Sequence, residues 1–469
     1  MMIRQVLIVL FLFNILYAQG AKYPFPQNVT YPFGTISKVV TNEFVKSWYD
    51  NWKKTYLQKC EPNTLRPGVD PLTKSLVEAQ GFSMVAVAYM GDKGIFDSLY
   101  AFYVKRCSST ACGFMDWKVY CDRVVPAENG KSDGFGSATD GDIDVACALV
   151  VASWQWPDGG YLEKAKSLIT KLESMITTCS GKLVLYPGCN SRNWGGCSET
   201  DISYYAPAFF RYFAKISGNT KWTKLADDTQ LLRDAAANAT TGLVPDWQYA
   251  DGTPGSNTGR RGIYSFDAIR APYKQAMDYL WNGTASAGIW SKKISSWAYN
   301  VGVTNIKDEY ELNGTVKGTG HSMAVVGALG VAAMANSQAV VDAFAGEMIK
   351  LKDDYWYSGY LGNLYLLAIS GNMWNPDIIS KVNTVRKSTL VTLSNVKVKT
   401  NFGRELIISG NSGECYVALS SLSGKQVLSR VVKDNPISID VSSLMRGCYI
   451  ISISDVSGST PERKMISLY

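Results

Sequence analysis

The chain changes its hydrophobic period once, near Pro376, and that change constrains the fold more than any other feature. From about residue 37 to 371 apolar residues recur at helical spacing, in Val39 to Tyr56, Lys74 to Met90, Ile95 to Val104, Ile143 to Trp154, Leu162 to Ile176 and Tyr204 to Ile216. The same spacing continues in Trp222 to Ala237, Asp267 to Tyr279, Ile289 to Tyr299, His321 to Ala335, Ser337 to Lys350 and Leu361 to Ile369. About a dozen helices joined in pairs by turn-rich loops predict a toroid with one helix of each pair inside. The Ala-, Gly- and Ser-rich run Gly320 to Ala335 suits an inner helix, because small residues let neighbours approach closely. After Pro376 the period becomes two, in Val396 to Lys399, Glu405 to Ile408, Cys415 to Leu419, Ile437 to Val441 and Cys448 to Ile453, which predicts a small β-sandwich. All 13 tryptophans lie between Trp48 and Trp374, so composition divides where the period does.

The first residues, Met1-Met2-Ile3-Arg4, lead into the apolar run Val6 to Phe13 and then to small residues at Ala18, Gly20 and Ala21, which reads as a secretory signal peptide over 1–20. The expected domains are then 21–380 and 390–469, with the boundary between 377 and 390. No later segment is apolar for long enough to span a bilayer. Ten cysteines suit an oxidising compartment, but their pairing is not legible. Cys/His zinc spacing is absent and His321 is the single histidine, so acid–base chemistry falls to carboxylates and neither metal nor cofactor is expected. A net charge of +7, scattered and not gathered into tracts, argues against nucleic acid as a partner.

The carboxylates concentrate at Ala138-Thr139-Asp140-Gly141-Asp142-Ile143-Asp144, at the mouth of an apolar helix. A helix N-terminus favours negative charge, which accounts for one aspartate and not three. A calcium loop of the EF-hand type fails, since Val145 stands where Gly is needed and Val151 where Glu is needed.

With Ala146, Ala148-Leu149-Val150, Ala152 and Trp156, this stretch resembles the signature of glycoside hydrolase family 8, departing only at Val145, where the pattern has Ile or Met. Glu78-Ala79-Gln80-Gly81-Phe82-Ser83-Met84 is similar to the family segment around its general acid, and Phe266-Asp267-Ala268-Ile269-Arg270-Ala271-Pro272-Tyr273 to the segment that carries the base. Ser203 to Ala208 and Gly362 to Leu367 give further support, and the likeness covers roughly residues 24 to 376. The resemblance implies an (α/α)6 barrel and inversion of configuration, with Glu78 as acid, Asp267 as base and Asp140 holding the distorted sugar beside the scissile bond. Asp140 close to Glu78 would raise that residue's proton affinity.

Each residue also has a plainer reading. Glu78 can be a first-turn acid, Asp267 an N-cap, and Arg270 a surface partner three residues from Asp267. Asp142 and Asp144 read as structural. Arg270 and Tyr204 are expected to bind substrate, while Trp117 and Trp194 are candidate stacking platforms or core residues. Phe266 stands where the family has tyrosine, and Val77, Ala79, Phe82 and Ser83 also depart from its pattern. An aspartate at 267 argues against the chitosan-cleaving subfamily.

The tail, through Gly424-Lys425-Gln426-Val427 and Leu444-Met445-Arg446-Gly447-Cys448-Tyr449, resembles the C-terminal sorting domains of secreted Gram-negative enzymes. A carbohydrate-binding module is the rival, although the tail has no tryptophan. Together these resemblances imply a secreted or cell-surface monomer that meets export machinery through its tail. Its expected activity is an inverting endo-β-1,4-glucanase on β-linked polysaccharide, with an endo-β-1,4-xylanase or a non-catalytic glycan-binding protein as alternatives.

Overall fold

The computed structural model describes residues 20–128, 132–256, 261–379, 397–401, 405–409, 415–421, 426–432, 436–455 and 462–468. The expected leader, save Gly20, and the expected boundary, save 377–379, lie outside the described residues. The chain divides into two compact units, Met1–Ile378 and Ile379–Tyr469.

The first unit is built from α1 (Asn42–Tyr56), α2 (Val77–Met90), α3 (Lys93–Lys105), α4 (Thr139–Gln155), α5 (Tyr161–Leu172), α6 (Pro207–Ser217), α7 (Lys221–Ala236), α8 (Ala271–Asn282), α9 (Ala285–Val301), α10 (Met323–Ala333), α11 (Gln338–Met348) and α12 (Trp356–Ile369). Helices α2, α4, α10 and α12 are buried on all sides, as expected of helices apolar all round. Helix α1 buries one stripe, Val45, Trp48, Tyr49, Trp52 and Tyr56, and α5 another, which marks both as outer helices. Among the even-numbered helices, α2 packs on α4, α6 on α8, α8 on α10, α10 on α12 and α12 on α2. The 3-10 turn Ile202–Tyr204, just before α6, packs on α4 and α8. Helices α3, α5, α7, α9, α11 and α1 cover α2, α4, α6, α8, α10 and α12 respectively, so the unit is an (α/α)6 barrel.

The tightest crossing in the inner ring joins α2 to α4. A Cβ at Gly81 would stand 2.6 Å from Asp144 Cβ and 2.8 Å from the Gly141 carbonyl oxygen. One at Gly141 would overlap the Val77 carbonyl and stand 2.8 Å from the Glu78 nitrogen. Backbones that approach this closely leave no space for a side chain.

Several boundaries differ from expectation. The segment Asp267 to Tyr279 opens with a 3-10 turn, Ala268–Arg270, and α8 begins only at Ala271, with proline in its first turn. Tyr204 lies in the turn before α6. His321 precedes α10, and α5 gives way to the hairpin Ile176–Cys179/Lys182–Leu185. A second hairpin, Gly188–Asn190/Arg192–Trp194, follows. Disulfide Cys112–Cys189 ties the second hairpin to the region before α4, Cys179–Cys197 joins the first hairpin to the loop after the second, and Cys60–Cys121 links the segment after α1 to the region before α4.

In the second unit Glu405–Ser409 is flanked by Ile437–Asp440 and Lys397–Asn401, and a second sheet has the order Gln426–Val432, Cys415–Ser421, Gly447–Asp455, Glu462–Leu468. Every pairing is antiparallel. Leu406, Ile408 and Ile439 of the first sheet join Val417, Leu419, Ile451 and Ile453 of the second in one core, which makes a β-sandwich.

Candidate active site

Arg270, the last residue of the 3-10 turn before α8, is buried and holds four carboxylates together. Its Nη1 donates to Glu78 Oε2 at 2.8 Å and to Asp140 Oδ2 at 2.7 Å. Its Nη2 donates to Asp267 Oδ1 at 3.1 Å and to Asp201 Oδ2 at 3.4 Å. The fork of a guanidinium suits this arrangement, because its donors lie in one plane and its charge is permanent. The exposed i, i+3 pair is therefore excluded for Arg270.

The four acids differ in access. Asp140 and Asp201 keep 2% and 0% of their side chains accessible, whereas Glu78 keeps 22% and Asp267 36%. Glu78 and Asp267 are thus the two most open to an incoming ligand. Glu78 sits in the first turn of α2, and the Gly81–Gly141 crossing brings it beside Asp140 in the first turn of α4.

Asp267 caps no helix end through its side chain. Its segment is gripped from the loop before it: Asp246 Oδ1 accepts from the amides of Ser265 and Ala268 at 2.9 and 2.8 Å, and Trp247 Nε1 donates to Asp267 Oδ2 at 2.9 Å. From α12, Tyr357 donates its hydroxyl to the Phe266 carbonyl at 2.6 Å. Asp201 caps its own turn by accepting from the Ser203 amide at 2.7 Å.

Burial pushes the Glu78 carboxyl up to about 8; the charges of Asp140 and Asp267 add to this, while Arg270 opposes it. Asp267 is raised too by burial, against the pull of Arg270 and the Trp247 hydrogen bond. Asp201 is driven well above the carboxylate range by burial and by Asp267. Four acids around one cation carry more potential negative charge than the site neutralises, so protons remain bound there.

Tyr204 lies with its ring 5.5 Å from the Arg270 guanidinium carbon and edge-on to Trp247 at 5.8 Å. Trp194 stacks on Trp247 at 6.1 Å, so the three rings form one aromatic wall beside Asp267. Trp117 is half-buried on the α2 side: its carbonyl accepts from the Val77 amide at 3.0 Å, and its indole donates to the Asp133 carbonyl at 3.0 Å. Asp142 accepts from the Tyr103 hydroxyl at 2.7 Å, and Asp144 pairs with Lys274 at 2.9 and 3.1 Å; both are buried and structural. His321 is engaged with the Ile306 carbonyl and Glu347. Among the described residues no grouping of His, Cys, Asp or Glu is set to hold a metal ion.

Sequence reasoning passed over Asp201, Asp246 and Trp247. Asp201 stands just before the quoted segment Ser203 to Ala208, and its place two residues before a buried serine and tyrosine was the available signal. For Asp246-Trp247 only an acidic-aromatic pair in a loop was visible.

Residues 23–372 match the model of the family "Glycosyl hydrolases family 8", and residues 395–467 match that of the "Secretion system C-terminal sorting domain". Endoglucanase 2 of Ruminiclostridium josui is 35% identical over 368 residues, 75% of this chain and 77% of that protein. Endoglucanase C of Ruminiclostridium cellulolyticum is 33% identical over 385 residues, 77% of this chain and 81% of that protein. The structure of a β-1,3-1,4-glucanase from Paenibacillus sp. X4 superposes with a TM-score of 0.67 at 27% identity, covering 75% of this chain and 99% of that one.

Proposed function

The chain belongs to glycosyl hydrolase family 8, and from that membership we propose that it is an exported, monomeric, inverting endo-β-1,4-glucanase acting on cellulose or mixed-linkage β-glucan. Residues 21–380 form its catalytic domain behind a leader at 1–20, and 390–469 its sorting domain. The sorting domain directs the enzyme to secretion or to the cell surface.

In the proposed reaction Glu78 donates its proton to the glycosidic oxygen as that bond breaks. Asp267 takes a proton from a water that attacks the anomeric carbon from the opposite face, so the product has inverted configuration. Asp140 steadies the distorted sugar, and Arg270 orients both reacting carboxyls. Tyr204, Trp194 and Trp117 offer faces to sugar rings. Proton exchange with solvent then restores Glu78 and Asp267.

One observation carries the reading: a single buried arginine hydrogen-bonds both Glu78 and Asp267, the two accessible acids of the cluster. The elevated Glu78 supports its part, because a general acid must hold its proton near the working pH. Glu78→Gln is expected to abolish turnover of lichenan and carboxymethylcellulose while leaving oligosaccharide binding intact; unaltered hydrolysis would remove Glu78 from the reaction. Product stereochemistry by NMR reads the other half, since retention contradicts Asp267 as base. Activity on xylan alone in a parallel assay would overturn the glucan assignment.

A further inference from the structure

We propose that Trp247 is a positioning residue for the base, its indole N–H fixing one oxygen of Asp267 and its ring tying that orientation to the aromatic wall where the sugar lies. The inference rests on the reading of Asp267 as the base.

Arg270 cannot orient Asp267 alone, because it divides its donors among Glu78, Asp140, Asp201 and Asp267. Of the Asp267 carboxyl it holds only Oδ1, its Nε going to the Asp267 main-chain carbonyl at 3.3 Å, and a carboxyl anchored at one oxygen still turns about its terminal torsion. Trp247 supplies the second anchor at Oδ2, 2.9 Å away. An indole N–H is a donor and nothing else, and it stays neutral across the working range of pH. It therefore favours the ionised carboxylate without competing for the proton taken from water.

Trp247 is itself well fixed. Its amide donates to the Arg261 carbonyl at 3.0 Å and its carbonyl accepts from the Gly255 amide at 2.6 Å. Its ring lies between the stacked face of Trp194 and the edge of Tyr204, and only 6% of the residue is accessible. The preceding residue, Asp246, holds the Ala268 amide. The dipeptide Asp246-Trp247 thus grips Asp267-Ala268 at backbone and side chain together. A tryptophan present only to fill space has no need to aim its single donor at the base.

The charges that face Asp267 are the cations Arg270 and Arg261 and the carboxyls Glu78, Asp140, Asp201 and Asp246. The phenols Tyr204 and Tyr357 face it as well. Trp247→Phe leaves all of these in place and removes one neutral donor.

The test compares the wild-type enzyme, Trp247→Phe and Asp267→Asn on a soluble mixed-linkage β-glucan, with kcat and KM measured across pH. Losing a hydrogen bond to a charged acceptor is expected to lower kcat about 10- to 100-fold with KM within about two-fold. The acid limb of the kcat profile moves to higher pH, because the ionised base has lost a partner. Trp247→Phe with wild-type kcat and an unmoved limb overturns the proposal. Should that variant also melt earlier, Trp247→His, which keeps a ring N–H, restores kcat if the hydrogen bond is the cause; failure to restore it overturns the proposal in favour of packing. Full activity in Asp267→Asn would instead overturn the assignment of the base, whatever Trp247→Phe does.

Discussion

Glu78 shows how one side chain acquires its chemistry from its surroundings. Its carboxyl lies beside Asp140 and faces Asp267, yet among the described residues the one cation within hydrogen-bond distance is shared with three other acids. Burial and those negative neighbours raise it to about 8. The general acid must be protonated, so activity is expected to fall as pH rises through that value. The alkaline limb of kcat/KM, measured on free enzyme, is predicted near pH 8; a limb below about 6 would contradict this account. Linkage has the same sign. The folded state holds a proton that the unfolded chain has released, so this group's stabilising contribution is present at low pH and lost as pH climbs through about 8.

At the scale of the element, two glycines set the active distance. Gly141→Ala places a Cβ against the Val77 carbonyl and the Glu78 nitrogen, atoms of backbone that cannot rotate aside. Helices α2 and α4 must separate, at a cost of about 1–3 kcal/mol, and Glu78 moves relative to Asp140. Lower melting temperature and lower kcat together are the expected result. Gly346→Ala in α11 is the contrast: nothing lies within 4 Å, so helix propensity predicts a gain of about 0.5–1 kcal/mol with unchanged kcat. A Gly141→Ala enzyme as active and stable as wild type would show that the crossing does not govern the site.

The same elements show what was legible in the sequence. Glu78, Asp140 and Asp267 sit in local segments with recognisable spacing, and all-round apolar helices such as α2, α4, α10 and α12, alternating with amphipathic ones such as α1 and α5, announced the barrel. Asp201 and Trp247 reach the site only because the ring brings distant loops together, and no local pattern encodes that. The hairpins over 176–194 were missed because their strands of three or four residues are too short to display an alternation. The sequence places a helix start at Asp267; Pro272 in the first turn of α8 and the Asp246 cap shift the helix and leave Asp267 free of capping duty.

For the molecule as a whole, the two compact units have separate cores, one of packed helices and one of paired sheets. A chain ending at Ile378 is predicted to hydrolyse soluble β-glucan with kcat within about two-fold of the full protein, as expected where a domain folds on its own core. In its native host that truncated enzyme is expected to be missing from the cell surface and the medium, which activity in fractionated cultures would reveal. Loss of hydrolysis on truncation would contradict the division of labour between the units.

The closure of the inner ring has a consequence in time. Helix α12 completes the circle by packing on α2, and Tyr357 at its start holds the Phe266 carbonyl beside the base. The last barrel helix to be synthesised therefore supports the first segment that carries an acid. Contacts this distant in sequence carry a large loop-closure cost, which slows folding. A chain that stops between Pro272 and Trp356 carries all four carboxylates without the helix that closes the ring, and it is expected to be inactive on soluble β-glucan. Hydrolysis would then report that the whole circle has been assembled.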